Sequence, residues 1–154
     1  MRIKPLRELE KLRYDDEEGE RHYFVKSGSI RRTRSGFGGD AIELNITIEP
    51  TDAREYGVSV FCDKYGNGFP ITIKPEHKCV AMGNIEPPFE LKEGEALNLR
   101  IFMDKDLIEV FLNDRQAAVY MHRHDKDDTG VRLFSKGGDI RVKMNGWKLS
   151  LIHI

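Results

Sequence analysis

Only two cysteines occur in 154 residues, the formal net charge is -1, and no apolar run approaches the roughly 18 residues of a membrane-spanning helix. Each shortage excludes something. The Met1 to Arg13 segment lacks the apolar middle of a secretion signal, so the chain reads as soluble, with no address of its own. Charged residues make up 33% of the chain in both signs, and without a net basic field it offers no nucleic-acid surface. Cys62 and Cys79 lie in strand-like runs and not in a CxxC pattern, which leaves out redox and zinc motifs. Two buried free thiols are expected, a disulfide between neighbouring strands is the alternative, and the compartment stays open. No repeat of fixed period, low-complexity segment or long amphipathic helix is present.

What is present is β throughout. "AIELNITIE" puts Ile42, Leu44, Ile46 and Ile48 on one face of a strand that Pro50 closes. "GVSVFCD" groups Val58, Val60 and Cys62; then Tyr65-Gly66-Asn67-Gly68 turns the chain into "FPITIK", where Ile71 and Ile73 share a face. Pro70 marks that strand as starting at a sheet edge. "CVAM" is a short strand, and Pro87-Pro88 make "GNIEPPFELKEGE" a loop. Further strands are expected at Leu97–Met103, Leu107–Leu112, Gln116–His122, Val131–Ser135 and Ile140–Met144. "SGSIRRTRSGFGGD" reads as a loop whose Arg31, Arg32 and Arg34 are solvated, and no helix follows it to cradle a phosphate. Short strands at regular spacing with turn signals imply an all-β, two-sheet antiparallel sandwich or jelly roll.

The two ends differ from this pattern. In "KPLRELEKLR", Leu6, Leu9 and Leu12 stand three apart after Pro5, as in one or two helical turns, and charged "YDDEEGER" connects onward from Tyr14 to Arg21. The final "LSLIHI", read back as CTG TCT CTT ATA CAC ATC, matches a transposon end used to build sequencing libraries. It is read as a translated adaptor scar on a gene fragment cut short after Trp147, with a natural terminal strand as the alternative. The expected organisation is a linker with a short helix over 1–20, a sandwich over 21–148 and a non-native tail over 149–154.

The stretch "LRIFMDKDLIEVFLND" carries the functional argument. A two-residue turn at Lys105-Asp106 pairs Asp104 with Leu107, Met103 with Ile108, Phe102 with Glu109, Ile101 with Val110, Arg100 with Phe111 and Leu99 with Leu112. One face is then wholly aliphatic, and a slip of one residue would scramble it. A second two-residue turn at Asn113-Asp114 would set Val110 opposite Ala117 and Ile108 opposite Val119. The opposite face would carry Arg100, Phe102, Leu107, Glu109, Phe111, Gln116, Ala118, Tyr120 and His122. Three aromatics around one carboxylate suit a docking surface for another domain, with Arg100 and Glu109 satisfying each other diagonally. They also suit a sugar platform with Phe102 or Tyr120 as the stacking ring, or cover by this chain's own loop or N-terminal leucines.

Other chemistries are less complete. Asp104 and Asp106 flank a solvated turn, and Glu109 has no partner carboxylate on its face for glycoside hydrolysis. His122, His124 and Asp125 could ligate zinc only with a further ligand that the spacing does not supply. Ser27, Ser29 and Ser35 have no adjacent His with a carboxylate. No catalytic residue, metal or cofactor is expected.

"LRIFMDKDLIEVFLND", followed by "TGVRLFSKGGDIRVKMNGWKL", resembles the C-terminal β-sandwich of glycoside hydrolase family 32, the β-fructofuranosidases that include invertases, levanases and inulinases. The matching residues are Asp104, Glu109-Val110-Phe111, Asn113-Asp114, Gly130-Val131, Leu133-Phe134, Gly137-Gly138 and Trp147. "PLRELEKLR" is similar to the linker that enters this sandwich, so the resemblance covers nearly the whole chain. Where the family often has Gly after Asn-Asp, this chain has Arg115, costly if the turn needs a positive φ there. The resemblance implies a concanavalin A-like sandwich and places catalysis in an N-terminal five-bladed propeller whose Trp-Met-Asn-Asp-Pro-Asn-Gly, Arg-Asp-Pro and Glu-Cys motifs this chain lacks. The implied role is a non-catalytic module that buttresses that propeller, its partner, in a fructan or sucrose hydrolase. The alternative is a carbohydrate-binding module for terminal fructosides of levan or inulin. Arg100, Phe102, Glu109, Phe111 and Tyr120 are the candidate docking or sugar-binding residues.

Overall fold

The computed structural model of the chain describes residues 13–14, 20–33, 41–123 and 128–149. Its strands, in chain order, are β1 (Arg13–Tyr14), β2 (Arg21–Val25), β3 (Ile30–Arg32), β4 (Ala41–Ile48), β5 (Glu55–Cys62), β6 (Phe69–Lys74), β7 (Cys79–Met82), β8 (Leu97–Asp104), β9 (Leu107–Leu112), β10 (Gln116–Met121), β11 (Gly130–Lys136) and β12 (Ile140–Leu149). The larger sheet has β1 and β2 along one side of β12, then β4, β8, β9 and β10; the smaller runs β3-β11-β5-β6-β7. All pairings are antiparallel. Two such sheets packed face to face make the expected β-sandwich.

The core forms where the alternating patterns of the two sheets meet. Ile42, Leu44, Ile46 and Ile48 of β4 all face inward, the last three with no exposed surface, beside Leu99 and Ile101 of β8 and Ile108, Val110 and Leu112 of β9. Val58, Val60, Ile71, Ile73 and Leu133 close the core from the smaller sheet. Full burial of such a side chain is worth about 1.5–3 kcal/mol. Cys62 and Cys79 are buried and free, as expected.

Several expectations need correction. Pro70 does not mark an edge strand, because β6 lies between β5 and β7; it is tolerated because the β6–β7 ladder stops at Ile71 opposite Met82, so no N–H is needed there. The alternation of β5 breaks at Phe61, with φ 54°: Gly130 pairs with Cys62 and Arg132 with Ser59, leaving Val60 and Phe61 to share one partner position in a bulge. Part of the arginine-rich loop is structured, since Ile30–Arg32 forms edge strand β3 against β11. Arg13–Tyr14, expected in the linker, pairs with Lys148 and Leu149. Leu149, the first residue of the expected tail, closes β12. The leucine stripe Leu6, Leu9 and Leu12, the glycines Gly36, Gly38 and Gly39, and 150–154 lie outside the described residues.

The β8–β9 hairpin has the expected register throughout, from Leu99–Leu112 to Asp104–Leu107. The β9–β10 register is one residue away from expectation: Ala118 lies opposite Val110 and Tyr120 opposite Ile108. Asn113 and Asp114 both take positive φ (49° and 55°) and the Arg115 N–H donates to the Leu112 carbonyl at 2.9 Å, which is the primed turn that matches strand twist. Because Gln116 and not Arg115 pairs with Leu112, Arg115 is one residue more than a two-residue hairpin holds. The positive φ falls on Asn113 and Asp114, so Arg115 carries none of the cost expected of a non-glycine residue.

Close strand packing also fixes Gly57, which lies on β5 between β11 and β6. A Cβ there would lie 1.9 Å from the Ile71 carbonyl oxygen, a backbone atom that can move only with its strand. Gly57→Ala is expected to cost about 3 kcal/mol in urea unfolding. Gly94→Ala, which meets nothing within 4 Å but stands at φ +73°, is expected to cost only about 1 kcal/mol. Equal losses at the two sites would contradict the packing described.

Candidate functional site

The outward face of the larger sheet is built from side chains that alternate with the core set. Two adjacent cross-strand rows define it. One runs Trp147, Glu43, Phe102, Glu109 and Val119; the next runs Asn145, Asn45, Arg100, Phe111 and Ala117. Arg100, Phe102, Glu109 and Phe111 thus share the outward face as expected, but Phe102 is only 7% exposed and Glu43 not at all, so the middle of that face is already closed to water in this chain. Tyr120 does not: the extra residue at Arg115 turns it inward, where its ring stacks on Phe69 at 4.9 Å. Val119 and Met121 take its place on the outward face, and they are 55% and 64% exposed. Ala118, also expected outside, is buried.

Within the two rows, charge and ring geometry are locked. Arg100 donates to Glu43 at 3.2 Å across the β8–β4 pair, not to Glu109 on the expected diagonal. Glu43 has no exposed side-chain surface, and a carboxylate can stay buried only when it is paired. Phe102 meets Phe111 edge-on, with centroids 5.8 Å apart and planes at 89°, an arrangement worth about 0.5–1.5 kcal/mol beyond burial. Toward the loop end, Asn98 donates to Asn45 at 2.9 Å and to Thr47 at 3.2 Å, extending a polar border.

Glu43 was not singled out in the sequence, although it stands at an outward position of the alternating "AIELNITIE". Its role depends on β4 lying beside β8, a neighbour relation that sequence spacing does not carry. Glu43 and Glu109 flank Phe102 from opposite sides, about 10 Å apart at the backbone by two strand spacings. Retaining glycoside hydrolysis needs carboxyls about 5 Å apart, so this pair is not arranged for it.

The remaining sequence candidates scatter. Asp104 ends β8 and Asp106 lies in the turn beyond it. The His122 ring lies 5.1 Å from Phe69 and 6.0 Å from Phe61; His124 and Asp125 lie outside the described residues. Among the described residues no group of three His, Cys, Asp or Glu is placed to hold a metal ion. Ser27 and Ser29 sit in the β2–β3 turn, where the Ser27 N–H donates to Asp139 Oδ1 at 2.8 Å; Ser35 is not among the described residues. Arg31 lies over the Tyr23 ring at 5.5 Å, and Arg34 is likewise not described. No described helix is long and apolar enough to cross a membrane. At the β2 end of the outward face, a cleft of about 470 Å³ is lined by His22, Phe24, Thr47, Glu49, Arg141 and Lys143, with Arg141 over the Phe24 ring at 5.1 Å.

The composition of the outward face rests on how Arg115 is held. Its guanidinium makes a two-pronged ion pair with Glu95, donates to the Glu90 carbonyl at 2.9 Å and lies over the Phe89 ring at 5.6 Å. Asn113 adds a second tie, accepting from the Asn98 N–H at 2.6 Å and donating to the Ala96 carbonyl at 2.8 Å. Hydrogen bonding by Arg115, then by the Lys92 N–H, holds the Glu95 carboxyl down from 4.5 to about 2. A lowered carboxylate pKa contributes stability that is present above pH 4.5 and lost as pH falls toward about 2. The stability gap between the native chain and Glu95→Gln, read from urea midpoints, is therefore expected to close across that window. A gap constant with pH would contradict the pairing.

The family model described as "Glycosyl hydrolases family 32 C terminal" matches residues 8–148. The levanase of Bacillus subtilis (strain 168) is 26% identical over 161 aligned residues, covering 90% of this chain and 23% of the levanase. The crystal structure of exo-inulinase from Aspergillus awamori matches with a TM-score of 0.75 at 14% identity, over 92% of this chain and 31% of that one. The galectin LEC-6 of Caenorhabditis elegans matches with a TM-score of 0.55 at 10% identity, over 84% of this chain and 95% of the galectin. At such identities the two structures show the fold alone. The chain spans about a quarter of the levanase's length and about a third of the exo-inulinase's.

Proposed function

The chain belongs to the C-terminal domain family of the family 32 glycosyl hydrolases, and from that premise we propose that it is a non-catalytic module that buttresses the catalytic β-propeller of a fructan or sucrose hydrolase. The observation that carries this reading is an apolar strip on the sheet face turned away from the core. There Phe111, Ala117, Val119 and Met121 line up beside Phe102 and the buried Glu43–Arg100 pair. Water alone gives no reason to put Val119 and Met121 outside, whereas desolvated aliphatic and aromatic anchors inside a polar border are the anatomy of a docked surface. The occupant is the remainder of the longer protein, since the relatives extend well beyond this domain. In this role Val119 and Met121 stand in place of Tyr120 beside Phe111, with Arg100 and Glu109 near the strip, while Phe102, only 7% exposed, is already buried in this chain and supports the strip from beneath.

A second reading, binding of terminal fructosides, draws on the cleft beside Phe24 and Arg141. Its volume is in the range of small-ligand sites, and it joins an aromatic ring to several polar groups. Calorimetric titration of the chain with levan, inulin and fructose separates the two. Buttressing predicts no saturable heat, no turnover of sucrose or an aryl fructoside by this chain alone, and weaker fluorescence of a hydrophobic dye after Phe111→Ser or Met121→Ser. Saturable fructan binding that is lost in Phe24→Ala, Arg141→Ala or Glu109→Ala would overturn buttressing in favour of sugar recognition.

A further inference from the structure

Strand β10 ends the larger sheet, and its sequence "QAAVYM" contains no charge and no proline, the residues that normally protect an edge from pairing with another strand. The direction of its free backbone groups follows from the ladder. The His122 N–H donates to the Asp106 carbonyl at 2.8 Å, so positions in phase with His122 (Tyr120, Ala118 and Gln116) are those that exchange bonds with β9. The N–H and C=O groups of Ala117, Val119 and Met121 therefore point away from the sheet, out of the edge. The Ala117 N–H is taken up locally by Gln116 Oε1 at 3.0 Å, and the Gln116 side chain donates to the Pro88 carbonyl at 2.8 Å, so the β7–β8 loop covers one end. The Val119 to Met121 end has no such cover among the described residues.

We propose that β10 pairs antiparallel with β10 of a second copy of this chain, about a two-fold axis at Val119, to make one continuous sheet across two sandwiches. The occupant is chosen by self-complementarity. Around that axis Val119 faces Val119 of the second copy, Ala117 faces Met121, and Ala118 faces Tyr120. Every cross-strand pair is uncharged, and no like charges oppose each other on the paired strands. Each pair centred on Ala117, Val119 or Met121 would exchange its outward backbone bonds, with Gln116 releasing the Ala117 N–H. The contact uses the edge and leaves the outward side chains free, so it stands independently of the proposed docking to a propeller. Joining the edges would double the apolar strip.

Sedimentation of the full 154-residue chain over a concentration series tests this. A concentration-dependent dimer is expected, because a contact of one short strand is small. Val119→Pro removes an N–H that points out of the sheet, so it is expected to halve the mass at high concentration while leaving the melting temperature and circular dichroism essentially unchanged. Val119→Lys, a charge at a 55% exposed position, should do the same without any backbone change and serves if the proline variant misfolds. A chain that stays monomeric throughout the series, or a dimer that both folded variants leave intact, would overturn the proposal.

Discussion

Side chains on a strand alternate faces with a period of two, so one residue added to a turn moves every following side chain to the other side of the sheet. Here that residue is Arg115. Its guanidinium is fastened to Glu95 and the Glu90 carbonyl while Asn113 and Asp114 make the turn itself. Tyr120 and Ala118 enter the interior as a consequence, and Val119 and Met121 leave it. The clamp lies on the β7–β8 loop, so a segment without regular structure determines the chemistry of the sheet's outward face.

The interior has adapted to the same shift. Tyr120 stacks on Phe69 and reaches over the start of the β7–β8 loop, where Gly83 stands at φ +57°; a Cβ there would lie 2.3 Å from the tyrosine ring. Glycine takes that positive φ without strain and leaves room for the end of the tyrosine ring. On the other side of the sheet, a buried ion pair and an edge-on pair of rings hold the rows around Phe102 rigid. With Glu43 and Phe102 already buried, the part of this face left open is the strip at Val119 and Met121, which rests on a fixed base.

Much of the architecture is legible in the residues because local and long-range signals agree. Ile42 to Ile48 alternate so regularly that strand, face and burial follow together, and the Lys105-Asp106 turn leaves one register with aliphatic pairs on a single face. The third strand is different. "QAAVYM" is apolar at nearly every position, so both registers put acceptable residues inside, and the deciding contact joins residues 20 apart through a loop. Glu43 is not legible in the sequence for a related reason: its partner Arg100 is 57 positions away, and only the strand order brings them together. Pro70 and Phe61 break simple strand rules at a ladder end and at a bulge, which depend on how far a neighbouring strand extends. The family signature was readable throughout, because its short motifs fall at turns and strand positions that the fold itself constrains.

Oxidative footprinting of methionine is the most direct test of whether the outward face is a docking surface. Met121 is 64% exposed in this chain, while Met82, Met103 and Met144 are buried and serve as internal references. Dilute samples of this chain and of a longer protein in which the same sequence follows a propeller domain would be oxidised side by side. If a second domain covers the strip, Met121 reacts readily in the short chain and is protected in the long one, with the buried methionines unchanged. Equal reactivity of Met121 in both would show that the face is open to water in the whole protein, and docking there would be refuted.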